Sequence, residues 1–126
     1  MLKWLLISAA LYMALVGAGL MFFTPQFGVG AVPADASSEL LALMRLLGGP
    51  FFGIAALNWL TRNAEPSKTR DAVLLANLVG FAAVALNDAY GVLTGEARDV
   101  AKLFLVVHAA FALAFLAAWL RARRAA

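Results

Sequence analysis

The chain has 126 residues, of which 64% are hydrophobic and 13% charged, with a formal net charge of +3 at pH 7 and no cysteine. Soluble domains carry about a quarter of their residues as charged groups, so an ordinary water-exposed surface is excluded, as are a disordered chain and a nucleic-acid module. The lack of cysteine excludes disulfides, thiolate metal sites and iron–sulfur clusters. We therefore expect hydrocarbon to surround most of the protein.

Four apolar segments follow one another along the chain, at residues 4–23, 40–60, 72–93 and 100–120. Each is about 20 residues long, enough for a helix to cross a hydrocarbon core of about 30 Å. Inside lipid every backbone polar group needs a partner, which favours helices, and short links make successive helices antiparallel neighbours. The sequence thus predicts an all-α fold: a transmembrane up-down-up-down four-helix bundle forming one domain over residues 1–126.

The first segment carries no charge and follows Lys3. Its apolar run is too long for a typical signal peptide, so we expect it to be kept as the first helix. Small residues at Ala10, Ala14, Gly17 and Ala18 form one face, which favours close packing against another helix. After the first link, residues 35–39 supply candidate N-caps for the second helix.

The second segment contains a charge, a proline and two spaced glycines. Gly49 and Gly53 have the GxxxG spacing typical of close helix approach. Pro50 is expected to kink or locally unwind the helix one turn beyond Arg45. Helical periodicity places Asn58 apart from the stripe that we expect to face the interior, which consists of Arg45, Gly49, Phe52, Ala56 and Trp59.

The third segment has one narrow stripe that we expect to face the interior, made of Asn77, Gly80, Val84, Asp88 and Gly91. Asn77 lies at the same expected depth as Asn58, so the two amides are candidates for a hydrogen bond between helices. Gly80 is a candidate for close packing.

The fourth segment holds Lys102 and His108. Lys102 lies one turn after Asp99 and is expected to pair with it. His108 could relay a proton, or bind metal or haem only across a homo-oligomer; we favour a neutral imidazole bonded to a neighbouring helix. Its face is an aromatic ridge expected to contact lipid or pack in the bundle, made of Phe104, Phe111, Phe115 and Trp119.

Arg45, Asp88, Asn87 and Lys102 are all expected near the outer face. Charges inside lipid usually turn inward and find partners, and an Arg45–Asp88 ion pair is the obvious candidate. One interpretation is a ligand-binding pocket open to the outside, formed by these four residues with His108. The alternative is a structural pair that fixes helix register and binds nothing.

Basic residues indicate the orientation. One side carries seven, at Lys3, Arg62, Lys68, Arg70, Arg121, Arg123 and Arg124, whereas the other carries Arg98 and Lys102. The positive-inside rule then places both termini and the middle link in the cytoplasm. Tryptophan prefers the membrane interface, and the candidate anchors Trp4, Trp59 and Trp119 all fall on that same side.

The run Leu43–Gly49, followed by Gly53 and Trp59, resembles the second helix of small bacterial four-helix membrane proteins, the DoxX-like group in the broad sense. The proline- and glycine-rich first link and the basic middle link are similar to that group over the whole chain. The resemblance implies a protein of the bacterial cytoplasmic membrane and a helical bundle. It implies no activity and no catalytic residue.

Three functions follow as hypotheses. The first is a non-catalytic accessory or assembly subunit of a larger membrane complex. It is favoured because the sequence shows no recognisable pairing of a nucleophile with a general base and because the links are short. The second is a small transporter or a binder of a lipid- or quinone-type ligand using the Arg45–Asp88 layer. An enzyme ranks last. We expect no metal and no cofactor, although a lipid or quinone could be bound. The expected partners are membrane lipids and either a larger membrane complex or further copies of this chain, and we expect no nucleic acid.

Overall fold

The computed structural model describes residues 2–30 and 32–124 and contains five helices in that part of the chain. Residues 1, 31, 125 and 126 of the predicted domain lie outside the described residues. The helices are α1 Leu2–Phe22, α2 Thr24–Phe27, α3 Ser38–Thr61, α4 Lys68–Thr94 and α5 Ala101–Arg124. The all-α class is confirmed, because the described residues form helices and no strand. The four long helices lie over the four apolar segments. The short helix α2 was not expected.

Local capping sets where the two central helices begin. The Ser37 side chain accepts a hydrogen bond from the Leu40 N–H at 3.2 Å, which confirms a cap within the predicted residues 35–39. Ser67 accepts from the Arg70 N–H at 3.2 Å in the same way. Because of this second cap, α4 begins at Lys68, earlier than the predicted residue 72.

The chain divides into two compact units, Lys3–Arg62 and Asn63–Ala126. The first contains α1, α2 and α3, and the second contains α4 and α5. The prediction that all four long helices form one domain therefore stays a prediction, and each unit is considered by itself.

In the first unit, α1 and α3 lie close together where Gly17 faces Gly48. A Cβ built on Gly48 would lie 2.7 Å from the Gly17 carbonyl oxygen, and one built on Gly17 would lie 3.0 Å from the Gly48 carbonyl oxygen. No side chain fits there without moving a backbone. Gly17, on the small-residue face expected on α1, therefore packs closely against α3.

The glycines singled out for packing lie elsewhere. A Cβ built on Gly49, Gly53 or Gly80 would meet no described atom within 4 Å. The described residues therefore make no close contact at these three positions, and the close packing predicted for them stays a prediction. The helix also continues through Pro50, since α3 is helical from Ser38 to Thr61. Local unwinding, one of the two effects expected at Pro50, does not occur, and the expected kink stays a prediction.

In the second unit, the buried stripe of α4 is offset by one residue from the predicted one. Asn77 is buried as expected, but Phe81 is 1% exposed, whereas Gly80 is exposed. Phe81 stacks on Phe111 of α5 with ring centroids 4.5 Å apart, and on Phe115 at 5.8 Å. Of the two roles considered for the aromatic ridge of α5, packing therefore applies at these two phenylalanines.

Each of the four long helices exposes large apolar side chains. Leu93 is 86% exposed, Leu60 is 76% exposed and Leu46 is 72% exposed. Water would disfavour so many exposed large apolar side chains, whereas acyl chains accommodate them. All four long helices are long and apolar enough to span a membrane, so the chain has the character of a multi-pass membrane protein.

Candidate functional site

A carboxylate and an imidazole meet between the two helices of the second unit. The Oδ2 atom of Asp88 on α4 lies 2.5 Å from the Nδ1 atom of His108 on α5, a hydrogen-bond distance. The side chains are only 12% exposed for His108 and 15% exposed for Asp88. The favoured interpretation of His108 as bonded to a neighbouring helix is confirmed. Asp88 was not predicted to pair with His108; its candidate partner in the sequence was Arg45.

Two aromatic rings lie beside the imidazole of His108. Phe104 stacks on His108 at a centroid distance of 6.2 Å with an interplanar angle of 19°. Phe81 lies at 6.2 Å with the rings tilted by 38°. These apolar neighbours lower the local dielectric, so the hydrogen bond between Asp88 and His108 is electrostatically stronger than it would be in water.

The tight link between α4 and α5 explains why these two residues meet. Gly95 ends α4 in the left-handed conformation, with φ of 75°, and the Ala97 N–H donates to the Gly91 carbonyl at 3.0 Å. A helical hairpin pairs residues that lie at similar distances on either side of its turn. Asp88 precedes Gly95 by seven residues and His108 follows Val100 by eight, so the sequence carried the signal for this pair.

The pair has defined chemical capacities. One proton lies between Nδ1 and Oδ2 in the neutral-imidazole form, and an imidazolium facing the carboxylate would form a charge-neutral pair. The second oxygen, Oδ1 of Asp88, has no hydrogen-bond partner among the described residues. It can accept a hydrogen bond from a hydroxyl group of a small molecule, while the phenylalanines contact its apolar part.

Arg45 lies in the other unit, and the Arg45–Asp88 ion pair stays a prediction. The Nε atom of Arg45 donates to the Leu41 carbonyl at 3.2 Å, one turn back along α3. Arg45 also lines a small cavity of about 160 Å³ at the end of α1, together with Met21, Phe22, Thr24, Pro25 and Leu41. The guanidinium is thus directed toward the link between α1 and α3.

The two other predicted ligand-binding residues lie on the surface. Asn87 is exposed on α4, next to the partly buried Asp88. Lys102 Nζ lies 3.3 Å from Asp99 Oδ1, which confirms the expected local pair, but both side chains are largely exposed. An exposed pair of this kind contributes little to stability.

The two asparagines expected to bond each other, Asn58 and Asn77, are both buried. Asn58 is 0% exposed and Asn77 is 5% exposed, and the Asn77 side-chain amide donates to the Val73 carbonyl at 2.9 Å. The burial of Asn58 differs from its expected position away from the interior: the buried stripe of α3 is Gly48, Ala55 and Asn58. The hydrogen bond expected between the two amides lies between the units and stays a prediction.

Two of the three expected tryptophan anchors carry an arginine on their ring. The Arg62 guanidinium lies 4.0 Å from the Trp59 ring centroid at the end of α3, and Arg123 lies 5.0 Å from the Trp119 ring in α5. Trp4 is 68% exposed near the start of α1. Cation–π pairs at helix C-termini suit a membrane interface, since both partners favour the headgroup region.

Comparison of the chain with protein-family models, curated proteins and solved structures gave no match. The similarity to DoxX-like proteins therefore stays a prediction.

Proposed function

We propose that this chain is a multi-pass protein of the bacterial cytoplasmic membrane that binds an amphiphilic small molecule of the lipid or quinone type. The observation that supports this most is the Asp88–His108 hydrogen bond of 2.5 Å between two apolar helices. Ionisable groups at membrane depth are costly, and they usually mark ligand or proton pathways. The ligand-binding hypothesis is thereby centred on His108 and Asp88 rather than on Arg45 and Asp88.

The nature of the ligand follows from the surroundings of the pair. The Asp88 carboxylate offers an acceptor oxygen for a hydroxyl donor, such as a quinol or a lipid hydroxyl group. Phe104 beside His108 offers an aromatic face for a planar or apolar body. With 12–15% of each side chain exposed, a ligand reaches the pair at its edge without separating the helices.

For the orientation we propose that both termini and the middle link lie in the cytoplasm. The support is the excess of basic residues on that side. The Arg62–Trp59 and Arg123–Trp119 pairs at the ends of α3 and α5 agree with an interfacial position for these helix ends.

Ligand retention tests the proposal. The wild-type chain, purified in mild detergent and titrated with a short-chain benzoquinol, is expected to bind it in a saturable way. Asp88→Asn removes the negative charge that strengthens the hydrogen bond from the quinol hydroxyl group to Asp88. A hydrogen bond to a charged group contributes about 1.5–3 kcal/mol, so quinol binding should weaken by about tenfold or more. His108→Phe should act in the same direction because it removes the group that holds the Asp88 carboxylate in position.

The matched control is Asp99→Asn, which removes the same charge from an exposed carboxylate outside the hairpin interior. It should bind like the wild type. Circular dichroism and size-exclusion profiles would establish that each variant is folded. Equal quinol affinity in folded wild-type and Asp88→Asn chains, together with equal amounts of co-extracted lipids and quinones by mass spectrometry, would overturn the proposal.

A second function, an accessory or assembly subunit of a larger membrane complex, is supported by a different observation. The surfaces around Gly49 and Gly53 are open, with room for another helix to approach the α3 backbone. Exposed leucines flank this surface, including Leu46 and Leu57.

Copurification from native membranes tests this second function. Mild extraction should yield a second polypeptide with the wild-type chain, and Gly53→Leu should remove it because a leucine blocks close helix approach. Leu47→Ala, at an exposed position on another face of the same helix, is the control and should keep the partner. A monodisperse particle containing this chain alone would count against a role in a complex.

A further inference from the structure

We infer that the first unit holds a second, independent site, which binds the phosphate group of an anionic membrane phospholipid at Arg45. The site lies at the junction of α1, α2 and α3. It is separate from the Asp88–His108 pair, since every residue that forms it belongs to the unit Lys3–Arg62.

The cation at this site is incompletely partnered. Arg45 uses Nε to donate to the Leu41 carbonyl at 3.2 Å. Among the described residues, its two terminal amino groups have no hydrogen-bond partner, and no carboxylate lies within 4 Å of them. A guanidinium in a membrane-spanning helix needs an anion, and its planar fork matches two oxygens of a phosphate group.

The hydrogen bond to Leu41 also fixes where the guanidinium lies. Leu41 is one turn closer to the start of α3 than Arg45, so the side chain runs back toward the helix N-terminus. Long basic side chains near a helix end extend toward the lipid headgroups in this way. The charge is therefore held near headgroup depth rather than at the centre of the bilayer.

Beside the guanidinium is a cleft for the apolar part of the same molecule. The cavity lined by Arg45 shares Pro25 and Leu41 with a larger cleft of about 400 Å³ in the link between α1 and α3. The lining of this cleft is mostly aliphatic and includes Val29, Val32 and Pro33. On the lipid side of Arg45, Leu43 and Leu46 are exposed at 57% and 72%, where acyl chains would lie.

A phospholipid satisfies these features together. Its phosphate neutralises Arg45, its glycerol and upper acyl carbons occupy the aliphatic cleft, and its chains follow the exposed leucines. Free inorganic phosphate would use the cation alone. A lipid with net negative charge is favoured over a zwitterionic one because no anionic side chain neutralises Arg45 within the site.

Native mass spectrometry of the full chain, released from detergent micelles, tests this site with phosphatidylglycerol as the probe and phosphatidylcholine as the competitor. The wild type is expected to retain phosphatidylglycerol preferentially. Arg45→Gln should reduce that retention about tenfold or more, and Arg45→Lys should restore part of it, because lysine keeps the charge but loses the fork. Arg124→Gln removes the same charge at the end of α5 and should bind like the wild type.

A second variant tests the cleft without changing the charge. Ala36→Phe fills part of the larger cleft and should lower phosphatidylglycerol retention, while Arg45 stays in place. Equal retention by wild type and Arg45→Gln would overturn the inference. Inorganic phosphate competing with phosphatidylglycerol at equal concentration would also overturn it, since the anion would then bind without the lipid. Because Asp88→Asn leaves this site intact, failure here is distinguishable from failure of the quinol site.

Discussion

Gly48→Ala should destabilise the first unit by about 1–3 kcal/mol, the usual cost of overpacking an interface that has no spare room. The added Cβ would lie 2.7 Å from the Gly17 carbonyl oxygen and 3.0 Å from the Met21 Cβ. The nearest atom belongs to a backbone, so relief requires α1 and α3 to move apart. The free energy of unfolding can be measured by circular dichroism during titration of dodecylmaltoside micelles with sodium dodecyl sulfate.

Gly49→Ala is the matched control, one residue further along the same helix. A Cβ there meets no described atom within 4 Å, and alanine has a better helix propensity than glycine by about 1 kcal/mol. We therefore expect an unchanged or slightly higher free energy of unfolding. If the two variants lost equal stability, the close approach of Gly17 and Gly48 would not be what stabilises the packing of α1 against α3.

The contrast between these two glycines shows what the sequence could and could not predict. The apolar segments locate all four long helices, because segment length and lack of charge are dictated by the bilayer. Gly48 and Gly49 are identical side chains on adjacent faces, about 100° apart on the helix. Only the position of α1 decides which of them is covered, and that position is a tertiary property.

The same offset occurs on α4 for a different reason. The predicted stripe grouped small and polar residues and included Gly80, whereas the structure buries Phe81. Phenylalanine gains far more contact from burial than glycine does, and Phe111 and Phe115 on α5 provide the stacking partners. Asn77 and Asp88 lie close enough to both stripes to face the interior in either case.

Asp88 and His108 were each singled out in the sequence, but not as partners of one another. Opposite charge and similar expected depth favoured a pair between Asp88 and Arg45, which stays a prediction because Arg45 belongs to the other unit. His108 carries no formal charge in its neutral form, so a search for ion pairs passes over it. The short link Gly95–Val100 gives the missing constraint, because it brings equidistant residues of α4 and α5 together.

Breaking the Asp88–His108 pair from one side should also destabilise the protein. Replacing one partner of this part-buried hydrogen bond leaves the other polar group unsatisfied, which costs about 1–3 kcal/mol. We expect His108→Leu to be the more harmful single change, because it leaves a carboxylate between apolar helices, and Asp88→Leu to be somewhat milder. Asn87→Leu, at the exposed neighbouring position, should change the free energy of unfolding by less than about 1 kcal/mol.

The double variant Asp88→Leu/His108→Leu separates a coupled pair from two unrelated losses. With neither polar group left, leucines can pack against Phe81 and Phe104, and the double variant should recover most of the stability that either single change removes. Additive losses would mean that the hydrogen bond does not couple α4 to α5. Recovered stability combined with lost quinol binding would separate the two roles of the pair, since leucine can restore packing but cannot accept a hydrogen bond from the ligand.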